Sequence, residues 1–118
     1  MEQETNTDTL NMKRVELPKI DISKHVGKYA DINNVIVFKS TYGNTLKVET
    51  EVIETIEREN NEPIEIKATR LFSITQDGDI VVGSKLDTFL QKMGVEQPAH
   101  LIGKKVQLLK NEKDFLTF

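Results

Sequence analysis

The stretch from Thr45 to Ile56 alternates between apolar or β-branched side chains and charged ones, and this alternation restricts the fold more than any other feature. One set is Leu46, Val48, Thr50 and Val52, and the other is Lys47, Glu49 and Glu51. A period of two places each set on its own face of a β-strand, whereas a helix would mix the two sets. Thr and Val also favour strands. The pattern therefore predicts a strand with one buried face.

Further strands are predicted on both sides of this one. A first strand runs from about Lys28 to Ser40, and its continuous apolar run Val35–Phe38 indicates either burial on both faces or a strand that coils across two sheets. The segment Thr41–Asn44 is a predicted turn, because Gly and Asn tolerate positive φ. After a polar loop at Glu57–Pro63, a third strand is predicted over Ile64–Thr75. Consecutive strands joined by short polar segments indicate a β-rich domain.

Two local features are predicted within and after the third strand. The alternation slips at Arg70–Phe72, which indicates a β-bulge. The segment Gln76–Asp79 contains an Asp-Gly pair and is predicted to be a hairpin turn. A brief strand, Ile80–Val82, is expected to follow it.

The hydrophobic period changes from two to that of a helix after Ser84. The apolar residues then follow the spacing i, i+3, i+4, i+7, and they are Leu86, Phe89, Leu90 and Met93. Ser84 is a suitable N-cap, and Gly94 is a natural end for the helix. A helical turn begins at Pro98, and two closing strands are predicted over Val106–Lys110 and Phe115–Phe118.

Length and composition indicate one globular domain. The chain has 118 residues, of which 37% are hydrophobic and 30% charged. We expect residues 1–14, which are polar and acidic, to form a disordered tail, and residues 15–118 to form the domain. The absence of Cys excludes disulfides, and no segment reaches the ~20 apolar residues of a membrane-spanning helix. We therefore expect a cytoplasmic protein.

The segment from the helix to the following strand resembles that of OB-fold proteins. The resemblance is carried by Ser84-Lys85-Leu86, Phe89-Leu90, Gly94 and Leu101-Ile102-Gly103-Lys104-Lys105-Val106, with Val26-Gly27-Lys28 before the first strand. These residues are similar to those of small phage and archaeal OB-fold domains, which are often associated with single-stranded DNA. The resemblance implies an all-β fold with one short helix, closed as a five-stranded Greek-key barrel. It also implies a ligand face on the outer surface of the second and third strands and on the adjoining loops.

The charges are unevenly distributed along a chain whose formal net charge is −3. Seven Glu and a single Arg lie between Glu49 and Glu65, whereas six Lys and four acidic residues follow Ser84. An acidic middle and a basic C-terminal third are therefore expected on different surfaces. The basic third is a candidate for contact with phosphate, or an ordinary charged edge that discourages strand pairing.

Six residues are candidates for a nucleic-acid site, namely Lys39, Tyr42, Lys47, Lys67, Arg70 and Phe72. The cations would hold phosphates and the rings would stack on bases. In the alternative interpretation, Tyr42 packs on the end of the barrel and Phe72 belongs to the core. With the OB-fold resemblance, these residues predict a non-enzymatic module that binds single-stranded nucleic acid with little sequence preference.

A protein-interaction or assembly domain is the alternative function. The acidic middle would dock a basic partner, or an exposed strand edge would pair with another copy of the chain. An enzyme is not expected, because the only histidines, His25 and His100, have no acid spacing that indicates a metal site or a triad. The isolated glycines form no phosphate-binding loop. We therefore predict no catalytic residues, no metal, no small-molecule cofactor and no membrane contact.

Overall fold

The computed structural model describes residues 20–41 and 43–118. The predicted tail, residues 1–14, and the candidate site residue Tyr42 lie outside the described residues. The strands are β1 (Tyr29–Ser40), β2 (Gly43–Thr50), β3 (Glu54–Arg58), β4 (Asn61–Ile66), β5 (Thr69–Ser73), β6 (Lys105–Gln107), β7 (Leu109–Lys110) and β8 (Leu116–Thr117). The α-helix α1 is Lys85–Met93, and two 3₁₀ turns are formed by Ile22–His25 and Pro98–Leu101.

A four-stranded antiparallel sheet in the order β5-β2-β1-β6 forms the centre of the domain. β1 pairs with β2 along most of its length and with β6 only over Tyr29–Asp31. Two further ladders join β3 to β4 and β7 to β8. The prediction of a mostly β fold with one helix is confirmed. Among the described strands no backbone ladder joins β5 to β8, so hydrogen bonds do not close the sheets into a barrel.

One face of the central sheet packs against α1 to form the core. Leu46 and Val48 of β2 are 3% and 0% exposed, which confirms the predicted alternation in this strand. α1 buries Leu86, Phe89 and Leu90, three of the residues that its spacing placed on one face. The other buried apolar residues are Ala30, Ile32, Ala68, Phe72, Leu101, Val106, Leu108, Leu116 and Phe118.

The predicted second and third strands are each broken in two. Residues 51–53 separate β2 from β3, and residues 67–68 separate β4 from β5. β3 and β4 pair with each other from Glu54↔Ile66 to Arg58↔Asn61, so much of the predicted loop at Glu57–Pro63 is instead a β-hairpin. The hairpin turns at Asn60, whose φ is 59°.

A buried threonine connects the two breaks. The Oγ1 atom of Thr50 accepts a hydrogen bond from the Ala68 N–H at 2.9 Å and donates one to the Glu51 carbonyl at 3.0 Å. The Thr50 N–H donates to the Ala68 carbonyl at 2.9 Å. Both residues are 0% exposed, so these groups have no access to water. The side chain thus satisfies a buried N–H where the regular ladder ends.

The helix begins and ends where the sequence predicts. The Ser84 side chain accepts a hydrogen bond from the Asp87 N–H at 3.2 Å, and the Asp87 carboxylate accepts one from the Gly83 N–H at 2.8 Å. These two bonds resemble a capping box, in which the N3 side chain accepts a hydrogen bond from the N-cap N–H. Here the donor to Asp87 is Gly83, one residue before the N-cap Ser84. Gly94 ends the helix in the left-handed conformation, with φ 73°. No helix in the described part of the chain is both long enough and apolar enough to cross a bilayer.

Two predicted features of the segment before the helix are wrong. The β2–β5 ladder is regular from Thr45↔Ser73 to Glu49↔Thr69, so there is no bulge at Arg70–Phe72. The turn at Gln76–Asp79 forms, but Ile80–Val82 is not a strand, because the Val81 carbonyl accepts a hydrogen bond from the Ser84 N–H at 3.1 Å. This bond directs the chain into the helix rather than along a neighbouring strand.

Two strand predictions are only partly correct. The apolar run of β1 is not buried on both faces, because Ile36 and Phe38 are each 38% exposed and Val37 is 56% exposed. The predicted strand Val106–Lys110 is interrupted at Leu108, whose N–H donates to the Lys28 carbonyl at 2.8 Å. In both cases the local pattern identifies an extended segment but not its neighbours.

Candidate nucleic-acid interface

The predicted site residues of β2 and β5 lie on opposite faces of the sheet. Leu46 and Val48 point into the core, so Lys47 between them points to the outer face. Arg70 lies opposite Val48 in the ladder, and Phe72 lies opposite Leu46. Arg70 and Phe72 therefore share the inner face, and Lys47 does not join them.

The other predicted site residues lie apart from this pair. Lys39 is exposed near the end of β1, opposite Asn44. Lys67 lies in the break between β4 and β5 and is half-buried. Tyr42 is outside the described residues. Of the six predicted residues, the structure brings together only Arg70 and Phe72.

Phe72 is a core residue. Its side chain is 3% exposed, and its ring centroid lies 5.2 Å from that of Phe89. The ring of Phe89 in turn lies 5.8 Å from that of Phe118. A ring enclosed in this way has no free face for a base, so the prediction that Phe72 stacks on a ligand is wrong, and its alternative assignment to the core is correct.

Arg70 lies at the edge of this aromatic cluster. The carbon of its guanidinium is 4.8 Å from the ring centroid of Phe72 and 5.2 Å from that of Phe89. Its Nη1 donates a hydrogen bond to the Phe118 carbonyl at 3.2 Å. Burial lowers the pKa of Arg70, but a guanidinium remains protonated in proteins. No Asp or Glu side chain within the described ranges forms an ion pair with it.

Arg70 borders a groove between α1, β1 and β6, which we call the Arg70 groove. The groove consists of two adjoining depressions of about 270 and 260 Å³, and both are lined by Arg70, Phe89 and Lys92. The hydrophilic or exposed aromatic side chains along it are Tyr29, Arg70, Lys85, Thr88, Lys92, Lys105 and Gln107. Four of these seven side chains are cations, contributed by β5, α1 and β6.

Every charged side chain that lines the Arg70 groove in the described structure is positive. Lys85 and Lys92 are exposed, and neither has an ion-pair partner among residues 20–41 and 43–118. Lys105 is held by Asp31, whose Oδ1 lies 2.9 Å from its Nζ, and this hydrogen bond raises the pKa of Lys105. Tyr29 is 66% exposed at the same end of the groove. The arrangement provides sites for anions beside an accessible ring.

Sequence reasoning missed Tyr29, Lys85 and Lys92 as site residues. Lys85, Thr88 and Lys92 follow the spacing i, i+3, i+7, which places them on one face of the helix, so this signal was present in the sequence. Tyr29 carries no comparable signal, because it reaches the groove only through the pairing of β1 with β6.

The outer face of β2 and β5, where the OB-fold resemblance places a ligand, has a different character. Ile36, Lys47 and Leu71 form a row across three strands, with Ile36 38% and Leu71 57% exposed. In the adjacent row, the Glu49 carboxylate accepts a hydrogen bond from Asn34 at 3.1 Å and lies 3.7 Å from Lys47 Nζ. The lysine of this face lies beside a carboxylate, whereas three of the four groove cations, Arg70, Lys85 and Lys92, have no Asp or Glu partner in the described ranges. This face is therefore less favourable for phosphate than the Arg70 groove.

His25 and Lys24 anchor the β3–β4 hairpin to the first 3₁₀ turn. His25 is 8% exposed, and its Nε2 lies 2.6 Å from Glu54 Oε1. Because a carboxylate only accepts hydrogen bonds, Nε2 carries the proton. Lys24 Nζ lies 3.0 Å from the same oxygen. The hydrogen bonds from His25 and then Lys24 hold the pKa of Glu54 below its usual range.

Replacement of Glu54 by glutamine is expected to destabilise the domain at neutral pH by an amount that shrinks on acidification. The carboxylate stabilises the fold above the unfolded-state pKa of glutamate, about 4.3. That contribution is lost as the pH falls through the lower folded-state pKa, where wild type and Glu54→Gln both carry a neutral side chain. Urea midpoints measured from neutral pH to below about pH 4 test this.

Glu57→Gln is the matched control, because Glu57 lies on the same strand and is exposed. This change removes the same charge without removing a hydrogen bond to His25. We expect its urea midpoint to follow that of the wild type at every pH. A constant difference between wild type and Glu54→Gln across the series would contradict the prediction.

The described residues contain no group of three or more His, Cys, Asp or Glu arranged to hold a metal ion. Comparison with known proteins found no family model that matches the chain, no similar curated protein and no similar solved structure.

Proposed function

We propose that the chain is a non-enzymatic module that binds single-stranded nucleic acid in the Arg70 groove. The observation that carries the proposal is the uniformly positive lining of this groove beside the exposed ring of Tyr29. Lysines and arginines that neutralise phosphates supply most of the affinity for nucleic acid, and stacked aromatic rings add to it. The net charge of −3 does not oppose this, because contact with phosphate depends on the charged side chains that line the groove, and these are positive.

The groove favours a flexible single strand of any sequence. Its four cations are contributed by β5, α1 and β6 and line its two adjoining depressions. Lysine is a point charge on a flexible stem that fits many phosphate positions. Thr88, Gln107 and the hydroxyl of Tyr29 are the uncharged polar groups among its lining side chains, so few such groups are available to distinguish bases. Low sequence preference follows from this chemistry.

The proposed scaffold is an OB-like five-stranded barrel. In its support, β1 pairs with both β2 and β6, and α1 lies between the β5 and β6 segments. The remaining gap lies between β5 and β8, where Thr117 Oγ1 donates a hydrogen bond to the Thr69 carbonyl at 2.9 Å. The Arg70 bond to Phe118 spans the same gap. In this proposal, β3 and β4 extend the second and third barrel strands.

The test is fluorescence anisotropy of a labelled oligothymidylate across a salt series, with Lys92→Glu as the principal variant. Lys92 lines both depressions and is exposed, so the substitution should leave the fold intact, although an acid in the last turn of α1 costs on the order of 1 kcal/mol. We expect affinity at low salt to fall on the order of tenfold, and the salt slope to shrink by about 0.7 for each phosphate that the variant no longer neutralises. Tyr29→Ala should weaken binding by removing the stacked ring, with no change in salt slope.

Lys39→Glu is the matched control, since it makes the same charge change at an exposed lysine outside the groove. Its affinity should remain within about twofold of the wild type. An equal reduction in Lys39→Glu and Lys92→Glu would exclude the groove as the site. An absence of wild-type binding at low salt would overturn the proposed function itself.

A further inference from the structure

Among the described residues, the second half of β1 has a free hydrogen-bonding edge. On β2, the Thr50 N–H and the Asn44 carbonyl both bond toward β5, to Ala68 and Ile74 respectively. Backbone groups alternate along a strand, so the odd-numbered residues of β2 face β1. Their ladder partners on β1 are the even-numbered residues from Asn34 to Ser40. The N–H and C=O groups of Val35, Val37 and Lys39 therefore point away from β2.

No other strand covers this edge within the described residues. The pairing of β1 with β6 ends at Asp31, and the last bonds along it join Ile32 to Lys104 at 2.8 Å and to Gly103 at 2.7 Å. The ladder of β1 with β2 also shifts between Ile32 and Asn34, which reverses the direction of the following backbone groups. The edge is therefore available from Val35 onward.

The chemistry of this edge is unusually apolar for a chain in which 30% of residues are charged. Residues 33–38 carry no charge, and Lys39 is the first charged side chain after Asp31. Ile36 and Phe38 are exposed on the outer face and Val37 on the inner face. On the inner face, Val35 and Val37 border a depression of about 640 Å³. Exposed apolar edges of this kind are sites of strand addition.

We propose that this edge pairs with the same edge of a second copy of the chain, as an antiparallel two-stranded interface. The edge is neutral and apolar, and only Lys39 at its end could form an ion pair with a charged partner. An equally neutral and apolar strand, such as the same edge of a second copy, is therefore the better match. In antiparallel pairing the two lysines lie at opposite ends of the interface and do not repel each other. One two-fold operation then satisfies the free groups of both edges.

The register is set by sterics and by the apolar side chains. If the two-fold axis passed through a pair of Ile36 residues, Ser40 of the second copy would lie opposite Ile32. The backbone groups of Ile32 are already bonded to Gly103 and Lys104, so this register is blocked. An axis at Val37 avoids this clash and pairs Val37 with its own copy through two backbone hydrogen bonds. It also places Ile36 of each copy opposite Phe38 of the other copy on the outer face, so this pair forms twice. Pairs of an aromatic and a β-branched residue stabilise antiparallel sheets.

The interface is short, so the association should be weak and concentration-dependent. Sedimentation velocity of the full chain from micromolar to millimolar concentration should show a reversible monomer–dimer equilibrium. Val37→Lys places a charge opposite its own copy at the axis and should weaken dimerisation by about tenfold or more. Val82→Lys is the matched control, because Val82 is 91% exposed and lies outside the β-strands. We expect it to dimerise like the wild type.

The absence of native Cys permits a second test by single-cysteine cross-linking. In a hydrogen-bonded antiparallel pair the Cβ atoms lie about 5.5 Å apart, beyond the ~3.5–4.5 Å that a disulfide spans, so a short bismaleimide is used to join the two thiols. Val37→Cys should be cross-linked into dimers faster than the more exposed Val82→Cys. A wild type that stays monomeric at millimolar concentration would overturn the proposal. So would equal dimerisation of Val37→Lys and Val82→Lys, or equal cross-linking of the two cysteine variants.

Discussion

Phe72→Ala is expected to lower the free energy of unfolding by about 3–5 kcal/mol, the largest effect predicted for this protein. The ring is 3% exposed, packs against Phe89 at a centroid distance of 5.2 Å, and lies beneath the Arg70 guanidinium at 4.8 Å. Its removal leaves a cavity and deprives Arg70 of part of its support. Urea denaturation monitored by circular dichroism measures the change, since a reduction of this size is a large fraction of a domain's stability.

Leu71→Ala is the control for this prediction. Leu71 is the adjacent residue on the same strand, but it points to the outer face and is 57% exposed. We expect its substitution to change stability by about 0.5 kcal/mol. If Phe72→Ala were as mild as Leu71→Ala, the ring would not be part of the core, and its candidacy as a stacking residue would be restored.

The second large effect is expected for Thr50→Val, which should cost about 1–3 kcal/mol although the two side chains have almost the same shape. The substitution removes the oxygen that accepts the hydrogen bond from the Ala68 N–H at 2.9 Å. Thr50 and Ala68 are both 0% exposed, so water cannot replace that oxygen. An unsatisfied buried N–H carries the full cost of its desolvation. Thermal or urea unfolding measures the decrease in stability.

Thr55→Val makes the same chemical change at an exposed position on β3. No buried donor depends on its hydroxyl, and valine favours strands, so we expect a change of about 0.5 kcal/mol or less. If Thr50→Val and Thr55→Val had the same stability, the hydrogen bond from the Ala68 N–H to the Thr50 hydroxyl would not stabilise the segment between β4 and β5.

The local signals in the sequence were sufficient for the helix and for the alternation in β2. Ser84 and Gly94 bound α1 because capping depends on hydrogen bonds within a few residues of the chain. The alternation at Leu46 and Val48 predicted their burial because side chains of a strand point to opposite faces in turn. These features need no knowledge of distant segments.

The candidate site was predicted poorly because its residues depend on sheet register. Arg70 and Phe72 looked like a slip in the alternation, but both continue the inward-facing set opposite Val48 and Leu46. An arginine in that set was unexpected, since arginine is rarely buried. It is accommodated because its guanidinium lies over two aromatic rings and reaches the edge of the core.

Short-range hydrogen bonds and side-chain periodicity encode the β-rich class, the capped helix and the inward-facing side chains of β2, so the order of residues alone was enough to predict them. The separate β3–β4 hairpin and the free edge of β1 emerge only when distant strands pair in the folded chain. The same pairing brings Tyr29, Arg70, Lys92 and Lys105 to one groove. These residues are far apart in sequence. Their positions are set by the register between strands, and that register leaves no local sequence pattern from which the groove could be predicted.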